Sequence, residues 1–381
     1  MTFIARQINS LQSRFDVSVL ARSRSNRELF TFEPVNIVPI TGLEKVGSRL
    51  RRLTNGRDWE ISRGASGDFH AAISRCKPDL IHAHFGPSGL AILPFAIRQN
   101  IPLLTTFHGF DASSYLKRSI YKRDLAHLFD YGEIVTVSRS MRQILIQLGA
   151  NPARTHCRYI GAPISSFVMP IRRSIAEKVA RKEKIKFLQV SNFVEKKGHE
   201  FTVRAFAELT RSFPNCELLF VGSGPLVPKV MELVGELNLE EQVRILKHQD
   251  SNTVAALMRD ADCFVHHSVT SANGDMEGIP TVLMEAMASG LPVISTKHSG
   301  IPELVDHGVD GLLVNERDIG QYVEAMYSVL NDHGQLGTRA RVKVERVFDI
   351  AACSLELGDL HDAIINDESR VAPSGFAGTL S

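Results

Sequence analysis

Short apolar runs alternate with amphipathic stretches along most of the chain. That is the pattern of α/β units built on parallel sheets. In the first half the runs predict strands near Val17–Ala21, Asn36–Ile40, Leu80–Ala83, Pro102–Phe107 and Ile134–Val137, with a helix over Ser140–Leu148 stopped by Gly149. In the second half they predict strands near Lys186–Val190, Glu217–Val221, Val243–Leu246, Cys263–His266, Pro292–Ser295 and Gly311–Val314. The clearest helices there are His199–Ser212 and Pro228–Leu237. Between the halves, Gly161–Lys184 has prolines early and a charged run late. The pattern predicts two Rossmann-like domains, 1–165 and 185–350, joined by a linker over 166–184. A helix over 351–366 and a disordered tail of small and polar residues over 367–381 complete the chain. Domains of this kind hold ligands outside the carboxyl ends of their strands.

The opening departs from this scheme. Phe3, Ile4, Ile8 and Leu11 share one helical face, and Asp16 ends the helix before the strand at Val17. A doubly wound domain opens with a strand that becomes central in the sheet. The expectation is a first domain without its first strand, in a chain truncated at its start and poorly soluble or inactive as written.

With 381 residues and 44% apolar content, each domain has an ample core. Net charge is only +2 but unevenly placed: 1–165 hold 22 Lys and Arg against 12 Asp and Glu, and the remainder hold 22 against 30. A basic half suggests an anionic partner, whether a phospholipid surface, a diphosphate-lipid acceptor or nucleic acid. The densest groups are Arg49, Arg51, Arg52 and Arg57, then Lys117, Arg118, Lys122 and Arg123. Five scattered cysteines give neither a zinc site nor a disulfide framework and suit a reducing cytosol. His82, His84, His266 and His267 have no carboxylate or thiol at ligand spacing, so no metal is expected. No signal peptide is expected, and runs such as Leu90–Ile97 are far too short to span a bilayer. The expected location is cytoplasmic, with any membrane contact peripheral.

The most specific segment is Glu277-Gly-Ile-Pro-Thr-Val-Leu-Met-Glu285-Ala-Met287. Pro280 fits the first turn of a helix that Gly290 ends. A helix N-terminus offers amides and a positive dipole end to phosphate. Glu277 lies just outside it and Glu285 about five residues inside, roughly 8 Å along the axis. That layout suits a sugar at Glu277, a diphosphate at the amides and a ribose at Glu285. Two glutamates at this spacing, taken alone, also occur by chance.

The surrounding run, with Asp275 before it and Ser299-Gly-Ile-Pro-Glu-Leu-Val305 and Gly311-Leu-Leu-Val314 after it, resembles the donor-binding half of the family 4 retaining glycosyltransferases. The likeness is to the branch that builds exopolysaccharides such as colanic acid and amylovoran, and it covers roughly Thr2 to Asp349. It implies the GT-B fold, two Rossmann-like domains facing a cleft, and a metal-independent transfer from a UDP- or GDP-linked sugar to a lipid-linked or oligosaccharide acceptor. Together with the basic first half, the expected partner is an anionic membrane surface at the inner face of the plasma membrane, and no nucleic acid is expected. Lys197, before Gly198, stands where the family binds the diphosphate, while Asn192 replaces a usual arginine and supplies no charge. Gly222 and Gly224 match a Gly-x-Gly-Pro after the next strand. His108, in His-Gly-Phe-Asp111, corresponds to the family's sugar-binding histidine, and Ser138 would line the same cleft. Glu277, His108 and Lys197 are thus the expected catalytic residues. Gly278, Ile279, Pro280, Thr281 and Glu285 are expected at the donor. Alternatives are a non-catalytic or decayed nucleotide-sugar-binding protein, and an epimerase of the same fold, which needs no acceptor.

Overall fold

A computed structural model describes residues 2–21, 23, 33–37, 57 and 63–367. Arg49, Arg51, Arg52 and the tail beyond Asp367 lie outside the described residues. The chain divides into two compact units, Met1–Ile160 with Cys353–Ser381, and Gly161–Ala352.

The first unit opens on the helix Thr2–Leu11. Its strands are β1 (Val19–Ala21), β2 (Val35–Ile37), β3 (Ile81–His84), β4 (Leu103–Phe107), β5 (Glu133–Thr136) and β6 (Thr155–Cys157). They form two parallel sheets, β1-β2 and β3-β4-β5-β6. Among the described residues no strand joins the two. Every residue of β4 and β5 is buried, because helices cover both faces of a parallel sheet. The helix Ile350–Ile365 belongs to this unit from Cys353 onward. It buries Leu357, Leu360 and Ile364 against Leu11, Leu104 and Val135. Arg14 on the opening turn pairs with its Asp359 at 2.7 Å and with Asp362.

The second unit contains β7 (Ile185–Val190), β8 (Cys216–Val221), β9 (Val243–Leu246), β10 (Cys263–His266), β11 (Val293–Thr296) and β12 (Leu312–Val314). The sheet is wholly parallel, in the order β12-β11-β10-β7-β8-β9. That is the doubly wound order, with the switch point between β7 and β10. The register pairs Val190 with Val221, His266 with Ser295, and Thr296 with Val314, so the strands end along one carboxyl edge.

Residues 166–184 are not a free linker, which corrects the expectation. They carry the helix Ile175–Ala180, started by a capping box of Ser174 and Glu177. Ile175 is buried in the second core, and Lys178 Nζ lies 2.8 and 2.9 Å from the carboxylate of buried Asp262.

Candidate functional site

At the carboxyl edge of the second sheet, β7 runs into the turn Glu195–Lys197 and the helix His199–Ser212. Gly198 sits between them at φ 59°, and a Cβ there would lie 1.8 Å from the carbonyl oxygen of His267. Only glycine lets this turn press against the end of β10. Gln189, buried in β7, donates to the Lys197 carbonyl at 2.9 Å and accepts from Thr202 Oγ1 at 2.8 Å. The Lys197 backbone is therefore fixed from below.

The loop between β10 and the helix Thr281–Ala288 folds over this turn. The Val269 amide donates to the Lys196 carbonyl at 3.0 Å, and the Ala272 amide donates to Glu195 Oε1 at 2.8 Å. Lys196 Nζ meets Asp275 at 2.9 Å, and Lys197 Nζ meets Glu277 Oε2 at 2.6 Å. Lys197 and Glu277 are mostly shielded, at 16% and 7% side-chain exposure. Glu277 Oε1 is buried and has no hydrogen-bond partner. One oxygen of a shielded carboxylate is thus neutralised while the other lacks a donor.

Pro280 is not in the first helical turn, as expected from sequence, but is the residue that caps it, with ψ 119°. The helix begins at Thr281, which places its first amides immediately after Gly278, Ile279 and Pro280. Those three are buried, and Glu285 is half-buried on the second turn.

The glycines after β8 are required by the protein's own backbone. A Cβ on Gly222 would lie 2.0 Å from the Ser191 carbonyl oxygen, and one on Gly224 2.5 Å from that of Phe193. The close approach is between two loops of the protein itself. Asn192, in the same turn, is exposed.

The histidines at this edge are structural in part. His267 Nε2 accepts from the Arg317 amide at 3.0 Å, and burial lowers its pKa to about 4. His199 stacks on Phe193 at 4.0 Å with its Nε2 3.1 Å from Ser191 Oγ, and burial lowers its pKa to about 3. His266 is fully buried with both ring nitrogens unpartnered. His298 and Glu316, which the sequence does not single out, are joined at 2.6 Å, and His298 Nε2 accepts from the Glu277 amide at 3.1 Å. His298 directly precedes the Ser299-Gly-Ile-Pro-Glu-Leu-Val305 run, and that adjacency is its one signal in the sequence.

In the first unit, His108 follows β4. Its Nε2 lies 3.0 Å from His84 Nδ1, its Nδ1 is buried without a partner, and Phe3 and Phe85 flank the ring at 5.1 and 4.6 Å. His82 stacks on His84 at 4.5 Å and meets His361 at 3.2 Å. Burial is the main cause that holds all four neutral, with His84 and His361 lowered to about 4. Ser138 is fully buried, and its Oγ accepts from the Met141 amide at 3.1 Å to cap the helix Arg139–Gln147. That cap accounts for the serine without a ligand. Among the described residues no three His, Cys, Asp or Glu side chains are arranged as metal ligands, and no helix is long and apolar enough to cross a membrane.

Comparison with known proteins bears on the whole chain. Residues 2–165 match the family described as Glycosyltransferase Family 4, and residues 171–344 match Glycosyl transferases group 1. WcaL of Salmonella typhimurium, which carries the name of a colanic acid biosynthesis glycosyltransferase, is 34% identical over 75% of this chain and 71% of its own. The amylovoran biosynthesis glycosyltransferase AmsK of Erwinia amylovora is 32% identical over 71% of this chain and 67% of its own. The crystal structure of Anabaena Alr3699/HepE with UDP-glucose superposes with a TM-score of 0.76, covering 95% of this chain and 96% of that one at 18% identity. The two parallel-sheet units are therefore the Rossmann-like domains of a GT-B enzyme, and the chain belongs to the family 4 glycosyltransferases.

Proposed function

We propose that this glycosyltransferase is retaining and moves a sugar from a UDP- or GDP-linked donor to a growing, lipid-linked exopolysaccharide. One observation carries the donor site: Glu277 is buried with Oε2 on Lys197 and Oε1 without a partner. A buried acceptor left unpaired costs ~1–3 kcal/mol, which a sugar hydroxyl would recover. Lys197 Nζ and the first-turn amides at Thr281 supply positive charge to the departing diphosphate. Glu285, one turn further in, takes the ribose hydroxyls. Gly278 and Ile279 line the entry, and Asn192 adds a neutral hydrogen bond. His108 orients the sugar. The leaving phosphate takes the acceptor's proton on the face from which it departs, so the new bond forms on that face. The relatives' names support an exopolysaccharide acceptor, and the UDP-glucose bound by the structural neighbour supports a uridine nucleotide.

Because protein cations neutralise the diphosphate on this reading, transfer should survive EDTA. The product should keep the donor's anomeric configuration, read from the anomeric proton coupling by NMR. A strict requirement for magnesium or manganese, or an inverted product, would reject the mechanism.

The membrane part rests on the basic group around the helix Ser119–Tyr131. Lys117, Lys122 and Arg123 are exposed there. Arg57 is not a loose surface charge, since its Nε lies 2.7 Å from buried Asp124, which Arg123 also meets at 3.1 Å. Vesicles of mixed phosphatidylserine and phosphatidylcholine should bind the protein at low salt and release it as salt rises. Replacing Lys117 and Lys122 by Gln should weaken binding by ~10-fold or more, at about 1 kcal/mol per lysine. Absence of vesicle binding at low salt would reduce the charge asymmetry to a solvated surface.

A further inference from the structure

The glutamate assigned to the donor sugar is held by groups that the proposed mechanism does not use. His298 follows β11 and is fully buried. Its Nε2 lies 3.1 Å from the backbone nitrogen of Glu277. An amide can only donate, so Nε2 must accept and carries no proton. The ring proton therefore sits on Nδ1, which donates to Glu316 Oε1 at 2.6 Å. Glu316 in turn accepts from the Thr270 amide at 2.8 Å and from Thr270 Oγ1 at 3.3 Å. Burial pushes the Glu316 carboxyl up, but the Thr270 amide and His298 outweigh it and hold the carboxyl below its ordinary range.

Thr270 and Glu277 are the two ends of one loop, the loop that Lys196 and Lys197 grip from the other side. Ser299, directly after His298, takes the left-handed conformation at φ 47°. Non-glycine residues seldom hold this conformation, and it persists only where the surroundings enforce it. A histidine kept only to fill space would not need one nitrogen on the Glu277 amide and the other on Glu316, which itself holds Thr270. His266, at the end of the neighbouring strand, is equally buried and has neither nitrogen partnered.

We infer that His298 and Glu316 are positioning residues for Glu277. One fixed imidazole tautomer, set by Glu316, holds the Glu277 amide and so aims the carboxylate at the donor sugar. This rests on the reading that Glu277 meets that sugar.

The experiment uses the full chain as wild type, Glu277→Gln, His298→Leu, His298→Gln and Glu316→Gln. Calorimetry with UDP, GDP, UDP-glucose and GDP-mannose measures how much the sugar adds to nucleotide binding. His298→Leu should bind the nucleoside diphosphate within about 2-fold of wild type while losing ~10-fold or more of the sugar's contribution, as expected for a displaced contact group. His298→Gln, whose Oε1 can accept from the same amide, should recover most of it. Nitrogen-15 NMR of wild type should show His298 with a proton on Nδ1 and none on Nε2, and this arm decides even if His298→Leu fails to fold. If wild type binds none of the four probes, or Glu277→Gln leaves the sugar's contribution intact, the donor assignment itself fails. If Glu277→Gln abolishes it and His298→Leu does not, or if His298 is protonated on Nε2, the positioning role is overturned.

Discussion

Lys197→Met is expected to slow transfer by about 10²–10³-fold if, as proposed, it removes one preorganised charge facing the departing diphosphate. It should also cost stability. Lys197 is the cation on Glu277 at 2.6 Å, and Glu277 is 7% exposed. Removing one partner of a shielded pair leaves the other charge uncompensated, at ~3–5 kcal/mol for full burial and nearer ~2 kcal/mol for a lysine still partly in water. Glu277→Gln should likewise cut transfer. The decisive protein is the double variant, Lys197→Met with Glu277→Gln. Removing both charges should return stability towards wild type. Activity should stay low, because neither the diphosphate cation nor the sugar carboxylate is restored. Measuring kcat/KM and the urea midpoint for all four proteins separates the cases. If the double variant regains activity along with stability, the pair only holds the fold. Wild-type turnover from either single variant would remove the site assignment.

Asp111→Ala is expected to destabilise the first unit by ~3–6 kcal/mol. Asp111 is fully buried and accepts from three backbone amides, Gly86 at 3.0 Å, His108 at 3.0 Å and Gly109 at 2.9 Å. Burial raises its pKa against the pull of those amides, so the carboxylate is held at a cost that its three donors offset. Alanine would leave all three donors buried and unpaired, at about 1–3 kcal/mol each before relaxation. Asp111→Asn keeps one acceptor oxygen and should lose less. Urea denaturation at unchanged slope is the measurement. A loss below ~1 kcal/mol would mean that the amides find other partners. The His108 amide is one of the three, so the same substitution should disorder the His108 turn before the unit unfolds.

Sequence reading located most of this architecture for a simple reason. Buried parallel strands are short unbroken apolar runs, and Val243–Leu246 and Cys263–His266 appear in the structure with the bounds that their runs predict. Lys197 and Glu277 were also legible, since turn glycines and a helix start bracket them. Their direct contact was not, because ion pairs between residues 80 positions apart leave no periodicity. The same holds for Gln189 beneath Lys197 and for the His298–Glu316 pair, 18 residues apart across a helix and a strand. Gly222 shows the opposite failure. The residue type correctly signalled a close approach, but nothing local tells whether the approaching group is a ligand or the Ser191 carbonyl. The segment 166–184 reads as a linker because its charge run looks solvated, although Lys178 lies against buried Asp262.

The closing helix sets the order in which the protein can be made. The first unit is discontinuous: Arg14 waits for Asp359, 345 residues later, and His82 waits for His361. Until Leu357, Leu360 and Ile364 arrive, Leu104 and Val135 lack part of their apolar cover. The second unit, Gly161–Ala352, is continuous and can close while the chain is still emerging from the ribosome. The unit translated first is thus the one completed last. A nascent chain stalled before residue 353 would expose an uncovered sheet face, the kind of surface that chaperones engage.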